Sequence, residues 1–264
     1  MLDRIVEAYI GEYASGKSEC AINRALELAR LRRIEVFSRI RRALKTRRGV
    51  LGPKGNRSIT GLSPPVSKKR RFFPASKVNL VDLDVVEPFW TLRPLKKEIE
   101  ALGITVIAWD REDAEGLGEA GTVLKPAARW ALAREGDVVL DVGYGVGGAR
   151  VLEIIEGYAE NTDLKVLAVI NASRPMTATV QDIVDHVRFL GRVDGLVNNT
   201  HLGEETDTAV VQEGAKIVTE AARILGVPVT ATTALDGIAA SIGSRDCEGN
   251  PVRFLRRFMP RGFW

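Results

Sequence analysis

Histidine and cysteine are scarce in this chain of 264 residues, which has two of each. Cys20 and Cys247 stand far apart, so they give neither a disulfide framework nor the paired spacing of a thiolate metal site. His186 and His201 are too few for a histidine-based metal centre and form no obvious catalytic pair. No apolar run approaches the roughly 18 to 20 residues that a membrane span requires. The first residues lead straight into a strand-like run, without the apolar core of a secretory signal. Together these absences predict a cytoplasmic protein in a reducing compartment.

What is present is ordinary for a globular protein: 45% hydrophobic and 27% charged residues, in a chain long enough for a substantial core. The charge, however, is unevenly spread. Residues 31–77 hold ten Arg and five Lys against one Glu, a net +14, so the remainder carries −10 to give the overall +4. The later part of this stretch is rich in Gly and Pro and contains Lys68-Lys69-Arg70-Arg71. Such a composition predicts a mobile insertion. Its earlier part, Leu31 to Arg48, can continue a preceding helix, since Leu31, Ile34, Phe37, Ile40 and Leu44 recur at spacings of three or four. A solvated excursion is the simplest reading. Contact with nucleic-acid phosphates or with an anionic membrane surface through Leu31–Lys77 are the other two.

Outside the insertion, apolar runs alternate with helical patterns. Strands are expected at Ile5–Ile10, Val78–Asp82, Thr105–Ala108, Asp137–Val142, Lys165–Ile170, Gly195–Asn198 and Pro228–Ala231. Helices are expected at Ser18–Arg30, Leu95–Leu102, Ala127–Glu135, Gly147–Glu160, Val180–Leu190 and Thr208–Leu225. Several strands are continuously apolar, as strands buried on both faces should be. The pattern predicts one α/β domain over residues 1–264, three-layered, with a mostly parallel sheet and helices on both faces.

Gly11-Glu12-Tyr13-Ala14-Ser15-Gly16-Lys17-Ser18 lies between the first strand and the first helix, the setting that a phosphate-binding P-loop requires. Gly11 and Gly16 allow a tight turn and close approach of backbone N–H groups to phosphate oxygens. The helix N-terminus adds its positive dipole end. Lys17 supplies a charge for the outer phosphates, and the Ser18 hydroxyl is suited to ligate Mg²⁺. Ser15 and Glu19 flank these positions and join the expected nucleotide contacts. Acidic residues at neighbouring strand ends should complete the site: Asp82 and Asp84 after Val78–Val81, and Asp141 after Val138–Leu140. Asp82 suits a structural role equally well. Gly143-Tyr144-Gly145-Val146-Gly147-Gly148 also fits a dinucleotide or methyltransferase loop, but the strand that follows ends in Asn171 rather than an acid. A flexible loop facing the outer phosphate explains these glycines more simply.

The order of these motifs resembles the MinD/ParA/CobQ-type family of P-loop proteins. The segments that carry the likeness are GEYASGKSECAINRALELA, VNLVDLDVVEPF, DVVLDVGYGVGG, VLAVINASRP, GLVNNTHLGEET and GVPV. The resemblance implies ATP and Mg²⁺ as ligands and a slow ATPase that switches an unidentified protein partner. A non-catalytic scaffold and a CobQ-like ligase are the other possibilities. It implies that Lys17 and Ser18 bind phosphate and Mg²⁺, that Asp84 positions the attacking water, and that Asp141 is a further Mg²⁺ partner. It implies that Asn199 contacts adenine, with Asn171 as a second candidate. No Asn-Lys-x-Asp guanine-reading motif is present. A homodimer is possible, but many members carry a lysine where this chain has Glu12, so ATP-driven dimerisation with a lysine crossing between nucleotides is not implied. Finally, Phe254 to Trp264 is basic and aromatic and could dock on the body or on a partner.

Overall fold

The computed structural model describes residues 3–49, 77–86, 92–110 and 123–259, without the side chains of 39–49. Most of the expected insertion, 50–76, lies outside the described residues.

Eight strands form a single sheet: β1 (Val6–Gly11), β2 (Val78–Leu83), β3 (Thr105–Ile107), β4 (Asp137–Val142), β5 (Leu164–Ile170), β6 (Gly195–Asn198), β7 (Val229–Leu235) and β8 (Val252–Leu255). Their order is β3-β2-β4-β1-β5-β6-β7-β8, and every pairing is parallel. Parallel neighbours need crossovers, and these bury both faces of the sheet. The strands alternate accordingly. Val6, Ala8 and Ile10 of β1 face one apolar layer with α4 (Val180–Leu190) and α5 (Thr208–Leu225), whereas Tyr9 faces the other with α1 (Lys17–Gly49) and α2 (Lys96–Ala101). The result is a three-layer α/β P-loop fold.

The expected elements are present with instructive differences. α4 and α5 match their predicted limits. Thr179 and Asp182 form a reciprocal capping box at the start of α4, Asp207 caps α5, and Gly226 ends α5 in the left-handed conformation. The helix expected at Gly147–Glu160 shrinks to α3 (Gly145–Arg150) and a 3₁₀ turn at Val151–Ile154. Three glycines among six residues give its first turns little helical preference. Ala127–Glu135 is instead a 3₁₀ stretch, Pro126–Ala133, kinked at Trp130. β7 continues past Ala231 through the buried Thr232 and Thr233. The sequence pattern missed β8 and α6 (Asp236–Ile242): β8 is only four residues long, its apolar run is interrupted by Arg253, and it lies at the sheet edge with Phe254 exposed.

α1 passes through Leu31 without a break. Arg32 is the reason its path is fixed there. Its guanidinium donates to both oxygens of the fully buried Asp137 at 2.8 and 2.6 Å and to the Asp3 carbonyl, while Ile5 N–H binds the same carboxylate. Asp137 opens β4 and Ile5 precedes β1, so Arg32 lies at the sheet edge opposite the phosphate loop. The helix beyond it, roughly 25 Å at 1.5 Å per residue, leads away from that loop.

A second buried ion pair fixes the end of β2. Arg93 Nε donates to Asp82 at 2.7 Å, and Arg93 Nη2 to the Asp84 carbonyl at 2.8 Å. Burial pushes the Asp82 carboxyl up to about 6 against the pull of Arg93. Asp82 is thus a structural anchor, and Asp84 is the acid left to face the loop. Arg93→Met strands a buried carboxylate and should lower the unfolding free energy by about 3 kcal/mol, measured by urea denaturation at pH 7.5. Adding Asp82→Leu should recover most of that loss.

Candidate functional site

The loop between β1 and α1 owes its shape to backbone positions that few residues tolerate. Gly11 has φ +148°, and a Cβ there would lie 2.5 Å from the Val169 carbonyl oxygen. Gly16 has φ +85°, and its Cβ would lie 2.2 Å from Asn199 Nδ2. Ala14 is also left-handed, at φ 56°, a strain of about 1 kcal/mol for an alanine. Positive φ at Ala14 and Gly16, just before α1, is the kind of backbone setting in which successive N–H groups converge as an anion nest.

Asn199, one residue beyond β6, fastens this loop from below. Its Nδ2 donates to the Ser15 carbonyl at 2.7 Å, and its Oδ1 accepts from Thr233 at 2.6 Å. The structure therefore places Asn199 under the loop, as its buttress, and not along a wall open to a base. Asn171, fully buried, has a similar role: its Oδ1 accepts from the Ser173 and His201 amides, and its Nδ2 donates to the His201 carbonyl. Glu19 also turns away from the loop. Its carboxylate accepts from the Phe258 and Met259 amides, and burial pushes it up to about 7.

The charged centre is compact. Lys17 is buried and folds back on its own loop, donating to the Glu12 carbonyl at 3.0 Å. Burial lowers its pKa, while Asp141, Asp84 and Glu12 favour its charged form. Asp141 is fully buried at the end of β4, and burial, reinforced by Asp82, raises its pKa well above the carboxylate range. Ser18 is near enough to favour the Asp141 anion, yet neither carboxylate oxygen has a partner in hydrogen-bond geometry. The Ser15 hydroxyl and His186 Nε2 are likewise buried without a partner. Buried polar atoms rarely stay unsatisfied, and four such atoms among the described residues lie around this one loop.

The fold gathers Lys17, Ser18, Asp84 and Asp141, the four residues expected together from the sequence, at one edge. Sequence reasoning missed three features. His186 Nδ1 stands 3.7 Å from Glu12 Oε2, and burial keeps this histidine below its usual pKa. Tyr13 and Tyr144 pack edge to face with centroids 5.5 Å apart, and Lys17 Nζ lies 5.9 Å from the Tyr144 ring. The third is the contact between Glu19 and the segment after β8. None leaves a local signal, because each pairs residues far apart in sequence. The first glycine after β4 borders the same centre: a Cβ on Gly143 would meet Asp84 Oδ1 at 2.8 Å.

The fit to Mg²⁺ can be judged from the donors. Asp141 offers unsatisfied carboxylate oxygens beside the Ser18 hydroxyl, and Asp84 is close enough to act on both Asp141 and Lys17. Among the described residues, no group of three or more His, Cys, Asp and Glu could hold a metal ion by itself. A Mg²⁺ held here would take most of its oxygen shell from phosphate and water, as this ion usually does.

Two outcomes follow. Asn199→Ala removes the tie to Ser15 and should destabilise the fold by about 1 to 2 kcal/mol, read by thermal melting. For His201, burial lowers the pKa to about 4, with Arg174 and Arg257 adding to the effect. Between that value and the unfolded pKa near 6.5, the unfolded chain holds the extra proton. The stability from neutral His201 is thus present above about pH 6.5 and lost as pH falls toward 4. The pH profile of unfolding should be flatter there in His201→Gln.

A scan against protein-family models finds no match, and a search of curated proteins finds none either. Among solved structures, the chain is similar to the cell division protein FtsY from Thermotoga maritima, at 13% identity and a TM-score of 0.45, over 88% of this chain and 62% of that one. It is also similar to the signal recognition particle 54 kDa protein from Aeropyrum pernix K1 in complex with GDP, at 18% identity and a TM-score of 0.43, over 86% of this chain and 40% of that one. This chain spans less than two thirds of either, and likeness at this level leaves the site to be read from its own residues.

Proposed function

We propose that this chain binds ATP with Mg²⁺ at the loop Gly11–Ser18 and acts as a slow nucleoside-triphosphatase that switches the binding of a protein partner, in the manner of MinD/ParA-type proteins. The observation that carries this reading is the buried, unpartnered Asp141 carboxylate beside Lys17 and Ser18 at the mouth of an anion nest. Such an arrangement is costly in an empty fold and is relieved by a phosphate and a cation arriving together.

Each residue has a distinct part. The loop amides and the α1 N-terminus bind the phosphates, and Lys17 leaves the Glu12 carbonyl to contact the outer ones. Incoming phosphate charge counters the burial that lowers its pKa, so binding favours the charged amine. Ser18, Asp141 and Asp84 would hold Mg²⁺, which supplies charge neutralisation of the phosphates when bound. Asp84, set above Gly143, orients water. With few groups able to accept its proton, turnover is slow and the two nucleotide states are long-lived. Glu12 replaces the crossing lysine, so the partner need not be a second copy.

The test is calorimetry with Mg-ATP and Mg-GTP on the wild type and on Lys17→Ala. Wild-type binding of ATP in preference to GTP is expected, with a loss of about 100-fold in the variant, the worth of a buried charge-assisted contact. Equal affinity in the two proteins would remove the loop from the account. Binding of S-adenosylmethionine or NAD in place of ATP would transfer it to Gly143–Gly148.

A further inference from the structure

All eight strands run the same way, so the loops that follow β1, β6 and β8 leave the sheet at one edge. The segment after β8 is held there by polar contacts that α1 and the β6–α5 loop supply. Asn23 Nδ2 donates to the Arg256 carbonyl, and Asn23 Oδ1 accepts from the Arg256 amide, both at 2.8 Å. Glu19, in the first turn of α1, accepts from the Phe258 amide at 2.9 Å and the Met259 amide at 2.7 Å. Arg257 Nη2 donates to the Gly203 carbonyl at 2.9 Å, and Nη1 stands 3.7 Å from Glu204. Gly203 belongs to the loop from which Asn199 reaches Ser15. The contacts thus close a circuit: phosphate loop, first turns of α1, the segment 256–259, Gly203, Asn199, and back to the phosphate loop.

The position of the acids gives this circuit a direction. Asp84 and Asp141 follow or end β2 and β4, on one side of β1, whereas β5 to β8 lie on the other. A triphosphate whose outer end faces Lys17 and the two carboxylates must send its opposite end toward the β5–β8 side. That side is bounded by the β6–α5 loop, by the turn from β7 into α6 and by residues 256–259. Phe258 and Met259 also pack, partly buried, on the α1 side of the core. The additional bonds to backbone groups hold the segment in one register against the first turns of α1, where a ligand surface has to be.

From this we infer that the segment Arg256–Met259 forms the wall against which the nucleoside half of the bound triphosphate rests, with Asn23 and Arg257 as its positioning residues. The inference rests on the nucleotide reading above and deepens it: the phosphate loop supplies affinity for the phosphates, and this wall supplies affinity for what is attached to them. Inorganic tripolyphosphate engages the first and not the second.

The experiment titrates wild type, Asn23→Ala and Arg257→Ala with Mg-ATP and with Mg-tripolyphosphate. The wild type is expected to prefer ATP. Each variant should lose about tenfold or more for ATP, a contact's worth, and stay within about twofold for tripolyphosphate. Neither side chain belongs to the apolar layers, and circular dichroism with thermal melting checks that both variants fold. Undiminished ATP affinity in both variants overturns the wall. So does a parallel loss for the two ligands, which would make the segment a support of the loop, and so does a wild type that binds tripolyphosphate as tightly as ATP. A wild type that binds neither ligand refutes the phosphate loop itself and the wall with it.

Discussion

The parallel register of β1 against β4 sets the terms for everything at the site. Tyr9 pairs with Asp141, so the strand that ends in the phosphate loop runs beside the strand that ends in the acid, with only two residues of β1 still to come. A slip of one residue would turn Asp141 from one face of the sheet to the other. Leu140 and Val142, its neighbours along β4, are buried in one apolar layer, so the same slip would also move them to the other. A buried carboxylate is thereby forced next to a buried lysine. The cost of desolvating the two is met by core packing elsewhere, which is why so polar a centre can sit at the edge of so apolar a sheet.

How much of this could be read from the chain alone depended on distance along it. The phosphate loop was legible because strand, glycines, lysine and helix are contiguous, and the acid of β4 because it ends an unbroken apolar run. α4 and α5 were legible because their caps lie within four residues of their ends. The roles of Asn199 and Asn171 were not. An asparagine after a strand looks the same whether it faces a base or ties two loops together, and only the positions of Ser15, Thr233 and His201 distinguish the two. Glu19 was assigned to the nucleotide through its place beside Ser18. Its helical position instead turns it toward Phe258 and Met259, which are about 240 residues away in sequence. The short edge strand β8 escaped notice because it is only four residues long and Arg253 interrupts its apolar run, an interruption tolerated where one side of the strand is open.

Net charge was the least informative property. The chain is basic as a whole, yet the described site is a cluster of acids around one lysine, and the arginines that the structure places are mostly engaged in holding segments together. Arg24 is bidentate to Glu7 in the α1 layer, Arg93 to the end of β2, and Arg32 to the start of β4. Guanidinium suits these tasks because it binds two acceptors at once and keeps its charge when half-buried.

Arg32 has a mechanical meaning as well. Helix α1 is a stiff rod of about 50 Å, gripped firmly by its arginine roughly 22 Å from the phosphate loop and extending about as far again on the other side. The first half of the rod is packed on the sheet through Ala21, Ala25, Leu28 and Ala29. The half beyond Arg32 therefore extends from a fixed base, a stiff arm about 25 Å long that carries the most basic part of the helix away from the loop Gly11–Ser18.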